Sequence, residues 1–462
     1  VADDTLEAGS DPMIININLD LAGGSAEHIT DNEYGFIVQH DDEITIDWGD
    51  GTIQNYNGSS SHNSHIHTYS SSGAKQVKIY GPLKSYGNNG GNSMTYNPKI
   101  TSISSWGNLP LEDLDYALYY AFNVSNVPNY LPSTVTSIKS MFERAKRFNG
   151  DGVVNWNTEN ITDINRIFKN SQLFNQNIAD WNTGNVTDMT NAFYSCENFN
   201  QDISNWDVGN VTHFNGIFYE NKVFDQDLSS WNMVSAQDIN SMFNGATIFN
   251  NGGQPLNWDE KLSNVTNING IFSRTSLFNQ SIGNWNTSNI TNIKYIFDRA
   301  TAFNQNIGGW DTSSVIEADA AFRGASAFNQ DLSNWDITNI NSASEMFSGS
   351  GQNSANAEAT NASWQTQDSS SPAAQESERS IPGEPMIINI DLDLPNTYSQ
   401  TNNDWGFIHQ AIPGNLPSNI SDGNFTVDWG DGVKETYTDN TQARTRMHTY
   451  ATGGKKQVKI TG

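Results

Sequence analysis

The sequence predicts a mainly β protein with short helical turns, in which a repeat solenoid is flanked by small β-sandwiches. Three observations predict it. Tryptophan recurs at Trp156, Trp181, Trp206, Trp231, Trp258, Trp285, Trp310 and Trp335, at spacings of 25, 25, 25, 27, 27, 25 and 25 residues. Phenylalanine keeps the same beat from Phe142 to Phe347, and a second Phe follows six residues behind each of the first eight, from Phe148 to Phe328. Finally, PMIINI stands at 12–17 and again at 385–390, and ITIDWGDGT (44–52) is matched by FTVDWGDGV (425–433).

A repeat of about 25 residues cannot bury its own apolar face, so each unit needs a neighbour on either side and the ends need caps. Apolar pairs such as Val186/Met189 and Ile290/Ile293 read as a short buried strand or turn. The stretch TDMTNAF spaces apolar groups three to four apart, as one or two helical turns would. Three residues past each first Phe stands a mostly small residue, among them Ala145, Ser171, Cys196 and Ala246. That slot predicts close contact between neighbouring coils. Asn185, Asn210 and Asn289 suit turns and could align into an Asn ladder. The two 27-residue spacings come from insertions around Trp258.

In the duplicated segment, alternating Ile44, Ile46 and Trp48 mark a half-buried strand, and the following D-G marks a tight hairpin. Trp48 to His67 and Trp429 to His448 both span 19 residues. The expected organisation is an N-terminal segment (1–11), a β-sandwich (12–109), the solenoid (110–350), a Ser/Ala/Gln-rich linker (351–384) and a second, C-terminally truncated sandwich (385–462).

Composition narrows the function. Of 462 residues, 51 are acidic and 23 basic, for a formal net charge of −28, so nucleic acid and anionic membranes are poor partners. No apolar run is long enough to span a bilayer. A single cysteine excludes an internal disulfide framework, and Cys196 reads as a packed thiol. The repeat tryptophans read as core or ridge, with sugar stacking second. His62, His65 and His67 resemble a metal tract, but the second copy keeps only His448, so His67 reads as structural, bonded near the W-G-D-G hairpin. Asp47, Asp50, Asp428 and Asp431 are candidate calcium ligands, as carboxylates grouped around a turn suit a hard cation. Asn57, Asn361, Asn419 and Asn424 are candidate glycan acceptors, in N-x-S/T triplets outside the repeats. Tyr119, Tyr120 and Tyr130, outside the regular ladder, are interface candidates. No residue set suggests catalysis, and no cofactor is required; calcium is the one candidate ligand.

The unit FNQDLSNWDITNI…MF (328–347) and its siblings resemble the BspA-like leucine-rich-repeat surface proteins over roughly 110–350. The DWGDGT…HTY…GAKQVKI pattern is similar to PKD-like β-sandwich domains, departing at PMIININLD and at NNGGN (88–92). The resemblance implies a leucine-rich-repeat-like solenoid flanked by PKD-like β-sandwich domains, in an extracellular protein of a microbial surface. The expected role is structural: self-association into filaments or a surface array through sandwich–solenoid contacts. The alternative is an adhesin that binds a host protein or glycan through the solenoid surface.

Overall fold

The computed structural model describes residues 11–21, 32–87 and 98–380, together with strand segments between 386 and 461. The chain forms two compact units, Val1–Ile290 and Thr291–Gly462.

The first unit opens with eight strands: β1 (Met13–Asn18), β2 (Glu33–His40), β3 (Ile44–Asp47), β4 (Ile53–Tyr56), β5 (Ser59–Thr68), β6 (Ala74–Tyr80), β7 (Leu83–Tyr86) and β8 (Ile100–Ser105). They form two antiparallel sheets, ordered β4-β3-β6-β1-β8 and β5-β2-β7. The period-2 alternation places Met13, Ile15, Ile17, Ile44, Ile46, Val77 and Ile79 in the core. Phe36 of β2 meets Trp48, just past β3, with ring centroids 5.5 Å apart. Gly49 in the hairpin has φ +78°, and a Cβ there would lie 2.3 Å from the Gln76 carbonyl oxygen. Only glycine fits.

The same strands start the repeats. Ser85 of β7 bridges Asp113 in parallel, Ser102 of β8 bridges Asn126, and the Ile103 N–H donates to Asn126 O at 3.1 Å. From there one residue per unit forms a parallel bridge to the next: Asp113, Ser137, Asp163, Asp188, His213, Asp238 and Asn267. The coils are otherwise built of turns. N–H groups alternate between two partners. Ala117, Tyr119 and Ala121 bond three residues back within their coil, whereas Leu114, Tyr116, Leu118 and Tyr120 donate to Ser137, Lys139, Met141 and Glu143 in the next.

This arrangement corrects the expected fold class. Among the described residues the strands lie outside the repeats, in antiparallel sheets, and no repeat contains a strand or an α-helix. The leucine-rich-repeat-like solenoid, with its β-strand in every unit, is not what these repeats build. The helical turns expected at TDMTNAF are absent as well. The physical reason is a pair of residues four apart with positive φ in each unit, such as Tyr116/Tyr120, Ser140/Arg144, Arg166/Asn170 and Asn191/Ser195. Left-handed residues interrupt helix and extended strand alike. None of the residues at these paired positions is β-branched, as expected where a branched Cβ would clash.

Packing follows the period. Within the first unit, Phe142, Phe168, Phe193, Phe218, Phe243 and Phe272 are fully buried and stack on one another at 5.4–5.8 Å. A second ladder runs from Phe148 to Phe278 at 5.9–6.2 Å. The tryptophans are 0–4% exposed. Their indole N–H groups donate to the preceding coil, as Trp181 does to Val153 O and Trp206 to Ile178 O. Burial of each ring contributes roughly 1.5–3 kcal/mol, and the indole bond removes the cost of hiding a donor. Cys196 is buried, with its thiol bonded to the Phe168 and Ser171 carbonyls. Burial pushes that thiol well above its ordinary pKa, so it is not poised as a thiolate.

In the second unit the coils of 291–350 repeat this pattern, with Phe297, Phe322 and Phe347 stacked at 5.7 and 5.4 Å. The segment expected to be a linker then folds into α1 (Ser354–Asp368) and α2 (Pro372–Ser380). Asn353 caps α1 by accepting the Asn356 N–H. Trp364 is fully buried, stacks on Trp335 at 6.4 Å, and donates to Leu332 O. The side chains of α1 occupy the last coil's open backbone groups: Thr360 accepts from Leu332 N, and Gln367 accepts from Ile337 N and donates to Trp335 O. The helix thus does for the final coil what another coil would do.

Six further strands follow: β9 (Met386–Asp391), β10 (Asp404–Ile408), β11 (Phe425–Asp428), β12 (Lys434–Tyr437), β13 (Thr445–Thr449) and β14 (Lys455–Thr461). Their pairing repeats that of the first module. Met386 faces Ile460 as Met13 faces Ile79, Val427 faces Ile460 as Ile46 faces Ile79, and Trp405 faces His448 as Tyr34 faces His67.

Candidate functional site

Asp47 and Asp50 sit on the W-G-D-G hairpin, where their oxygens serve the local backbone. Asp47 Oδ1 accepts the Gly49 N–H at 2.9 Å and Asp50 Oδ1 accepts the Thr52 N–H at 3.0 Å. Asp50 Oδ2 lies 2.8 Å from His67 Nε2. Burial opposes ionisation of Asp50, but the bonds from His67 and Thr52 outweigh it and hold the carboxyl below its ordinary range. His67 stacks on Trp48 at 5.0 Å and meets Tyr69 edge-on, and the Tyr69 hydroxyl donates to Trp48 O. In the first copy this spacing joins His67 to the turn carboxylate of Asp50. Asp431 lies outside the described residues, and of Asp428 the structure describes the backbone alone, in β11. Among the described residues no group of three or more His, Cys, Asp or Glu is arranged to hold a metal ion.

The other histidines of the tract go separate ways. His62 Nε2 bonds Ser85 Oγ at 3.2 Å, while His65 packs against Tyr56 and His40. Burial, helped by His40, lowers His65 to a pKa of about 4.

Of the candidate glycan acceptors, Asn57 is exposed between β4 and β5. Asn361 lies half-buried in α1, its amide oxygen accepting from Gln365 and Ser377. Asn419 and Asn424 lie outside the described residues. The repeat's own asparagines have structural work. Asn185, Asn210 and Asn289 donate their side-chain amides to Glu159 O, Gly184 O and Ser263 O, each at 2.7 Å. A second ladder uses the side-chain oxygens of Asn149, Asn175 and Asn200, which accept the N–H groups of Asn175, Asn200 and Asp225.

Tyr130 is 43% exposed, with its hydroxyl 3.5 Å from Ser105 Oγ. Tyr119 and Tyr120 pack edge-on against each other at 4.5 Å, between Tyr116 and Phe122. They belong to a larger surface that the sequence reading did not single out. Arg144 lies over the Tyr120 ring at 4.7 Å and Lys146 over Phe122 at 5.8 Å. In the next coil Lys169 lies over Tyr194 at 5.3 Å, and Tyr194 stacks on Tyr219 at 4.6 Å. Such cation–ring contacts contribute about 0.5–1 kcal/mol at exposed positions.

Charge is unevenly balanced on this face. Lys169 has one ion pair, 3.7 Å to the buried Glu143. Among the described residues Arg144, Lys146 and Arg166 have none, and Arg166 Nε is buried without an acceptor. Burial lowers the Lys169 pKa; Glu143 opposes this, and Arg166 and Arg144 add to it. Several cations of the later repeats are neutralised: Arg274 by Glu220, Lys294 by Glu317 and Asp319, and Arg323 by Asp298 and Glu345. A sequence signal existed. Lys139, Arg144, Lys146, Arg147, Arg166 and Lys169, six of the 23 basic residues, fall between 139 and 169.

The family model described as "Mycoplasma protein of unknown function, DUF285" matches residues 95–152, 136–258 and 253–361. No curated protein and no solved structure matches the chain significantly.

Proposed function

The chain belongs to the DUF285 family, and from that premise we propose that it is an extracellular structural protein of a cell surface, self-associating into filaments or a surface array. The carrying observation is the recurrence of one β-module on either side of the repeats in the chain, with the same residue-by-residue strand pairing. The Phe and Trp ladders of the repeats are spent on the repeats' own core. Since α1 covers the backbone groups of the final coil, association runs through module surfaces rather than by adding coil to coil. The resemblance to BspA-like surface proteins supports the extracellular placement. The test is sedimentation velocity and electron microscopy over a wide concentration range, with and without calcium. Concentration-dependent elongated assemblies are expected. A chain that stays monomeric under every condition overturns the reading.

A further inference from the structure

From the unneutralised face of the first repeats we infer that Arg144, Lys146, Arg166 and Lys169, with the Tyr120 and Tyr194 rings, form a binding site for an acidic glycan chain, sulfated or carboxylated. This goes beyond the structural role and does not depend on it.

The first argument is charge. In a chain of net charge −28, several basic residues of the later repeats are held by carboxylates of adjacent coils, as Arg323 is held at 2.8 and 2.9 Å. Of Arg144, Arg166 and Lys169 only Lys169 has an ion pair, with Glu143, and Arg144 and Arg166 lie near enough to repel it. Mutual repulsion among them is relieved by an external anion, and arginine forks suit both carboxylate and sulfate.

The second argument selects the anion's scaffold. Arg144 and Lys169, in two successive coils, stand between the Tyr120 ring of the coil before and the Tyr194 ring of the coil after, so a sugar whose acid group reaches a cation lays apolar C–H groups against the part-exposed rim of a ring. Polar Asn170, Asn191 and Ser195 belong to the same coils and are half-buried. A peptide would need main-chain partners, and this face spends its own between coils: Arg144 N donates to Lys169 O, Arg166 N to Thr190 O and Asn170 N to Tyr194 O. No strand edge is presented for augmentation.

The experiment measures binding of the full chain to a heparin oligosaccharide, an oligogalacturonate, neutral dextran and poly-L-glutamate, at low and physiological ionic strength. Binding to one or both acidic glycans, weakening with salt, is expected, and the first two probes distinguish sulfate from carboxylate recognition. Combining Arg144→Gln, Arg166→Gln and Lys169→Gln should weaken it about tenfold or more, while Arg323→Gln changes it less than about twofold. Single Arg144→Gln, at an exposed position, guards against misfolding of the triple variant and should itself weaken binding measurably. No binding to either acidic glycan overturns the proposal. So does equal binding of dextran, tighter binding of poly-L-glutamate, or an Arg323→Gln loss as large as that of the triple variant.

Discussion

The first β-module and the repeats that follow it spend aromatic residues in different ways. In the module, Trp48 touches Phe36 and His67 and bonds Gln54 and Tyr69, groups drawn from three strands or their ends. In the repeats, Phe218 touches Phe193 and Phe243 in the adjacent coils and Phe224 and Trp231 near its own. The module's core is a closed three-dimensional set, whereas the repeat core is a line of nearest-neighbour contacts. Stability of the first is therefore cooperative across the module, and that of the second is close to a sum over coils.

The largest expected effect breaks this comparison or confirms it. Phe218→Ala and Trp48→Ala should each cost about 3–5 kcal/mol. Their reach should differ. Hydrogen exchange should show lost protection confined to coils near residues 193–243 for Phe218→Ala, but spread over β1–β8 for Trp48→Ala. Uniform loss across all the repeats in the first variant would refute the linear picture.

A smaller effect concerns the place where module and repeats meet in sequence. Burial, reinforced by Asp113 and only partly offset by Ser137 and Lys139, raises the Asp115 carboxyl to a pKa of about 6. The folded state thus holds this proton more tightly than the unfolded chain. Stability from this group is present at low pH and declines as pH rises from about 4 to about 6. The cost at neutral pH is on the order of 2–3 kcal/mol. Asp115→Asn keeps an acceptor for Ser137 Oγ and Lys139 N–H while removing the charge. It should raise the melting temperature at pH 7.5 and flatten its pH dependence between 4 and 6. An unchanged profile would show that the carboxyl is better solvated than its surroundings indicate.

The smallest effect sharpens the role of the asparagine ladder. Asn210→Ala removes one bond to the preceding coil, and urea unfolding should register a loss of about 0.5–1.5 kcal/mol. Ala substitution at Asn57, which is exposed, should leave stability unchanged within about 0.5 kcal/mol.

The sequence was most legible where a residue type alone decides the outcome. Trp at spacings of 25 to 27 and Phe at matching intervals dictate a stacked core, because large rings must be buried and no single unit can bury them. The W-G-D-G hairpin at 48–51 was readable from glycine's tolerance of positive φ, and His67 at its fixed distance from Trp48 does bond that turn. The apolar spacing within each coil was misleading: it suits a helix as well as a chain turning at left-handed residues, and arginine, tyrosine and serine at those positions give no warning. Trp364 continues the tryptophan series 29 residues past Trp335, but its Ser- and Gln-rich surroundings conceal a helix whose burial comes from the coil beneath it. Charge balance was hidden for a related reason. Whether Arg144 or Arg323 finds a carboxylate depends on residues roughly one coil away, and only the stacking register says which side chains meet. By itself the sequence determined that coils repeat and what fills them. Tertiary structure decided how the backbone turns, what closes the last coil and which cations remain unpaired, because each depends on contacts between residues distant in the chain.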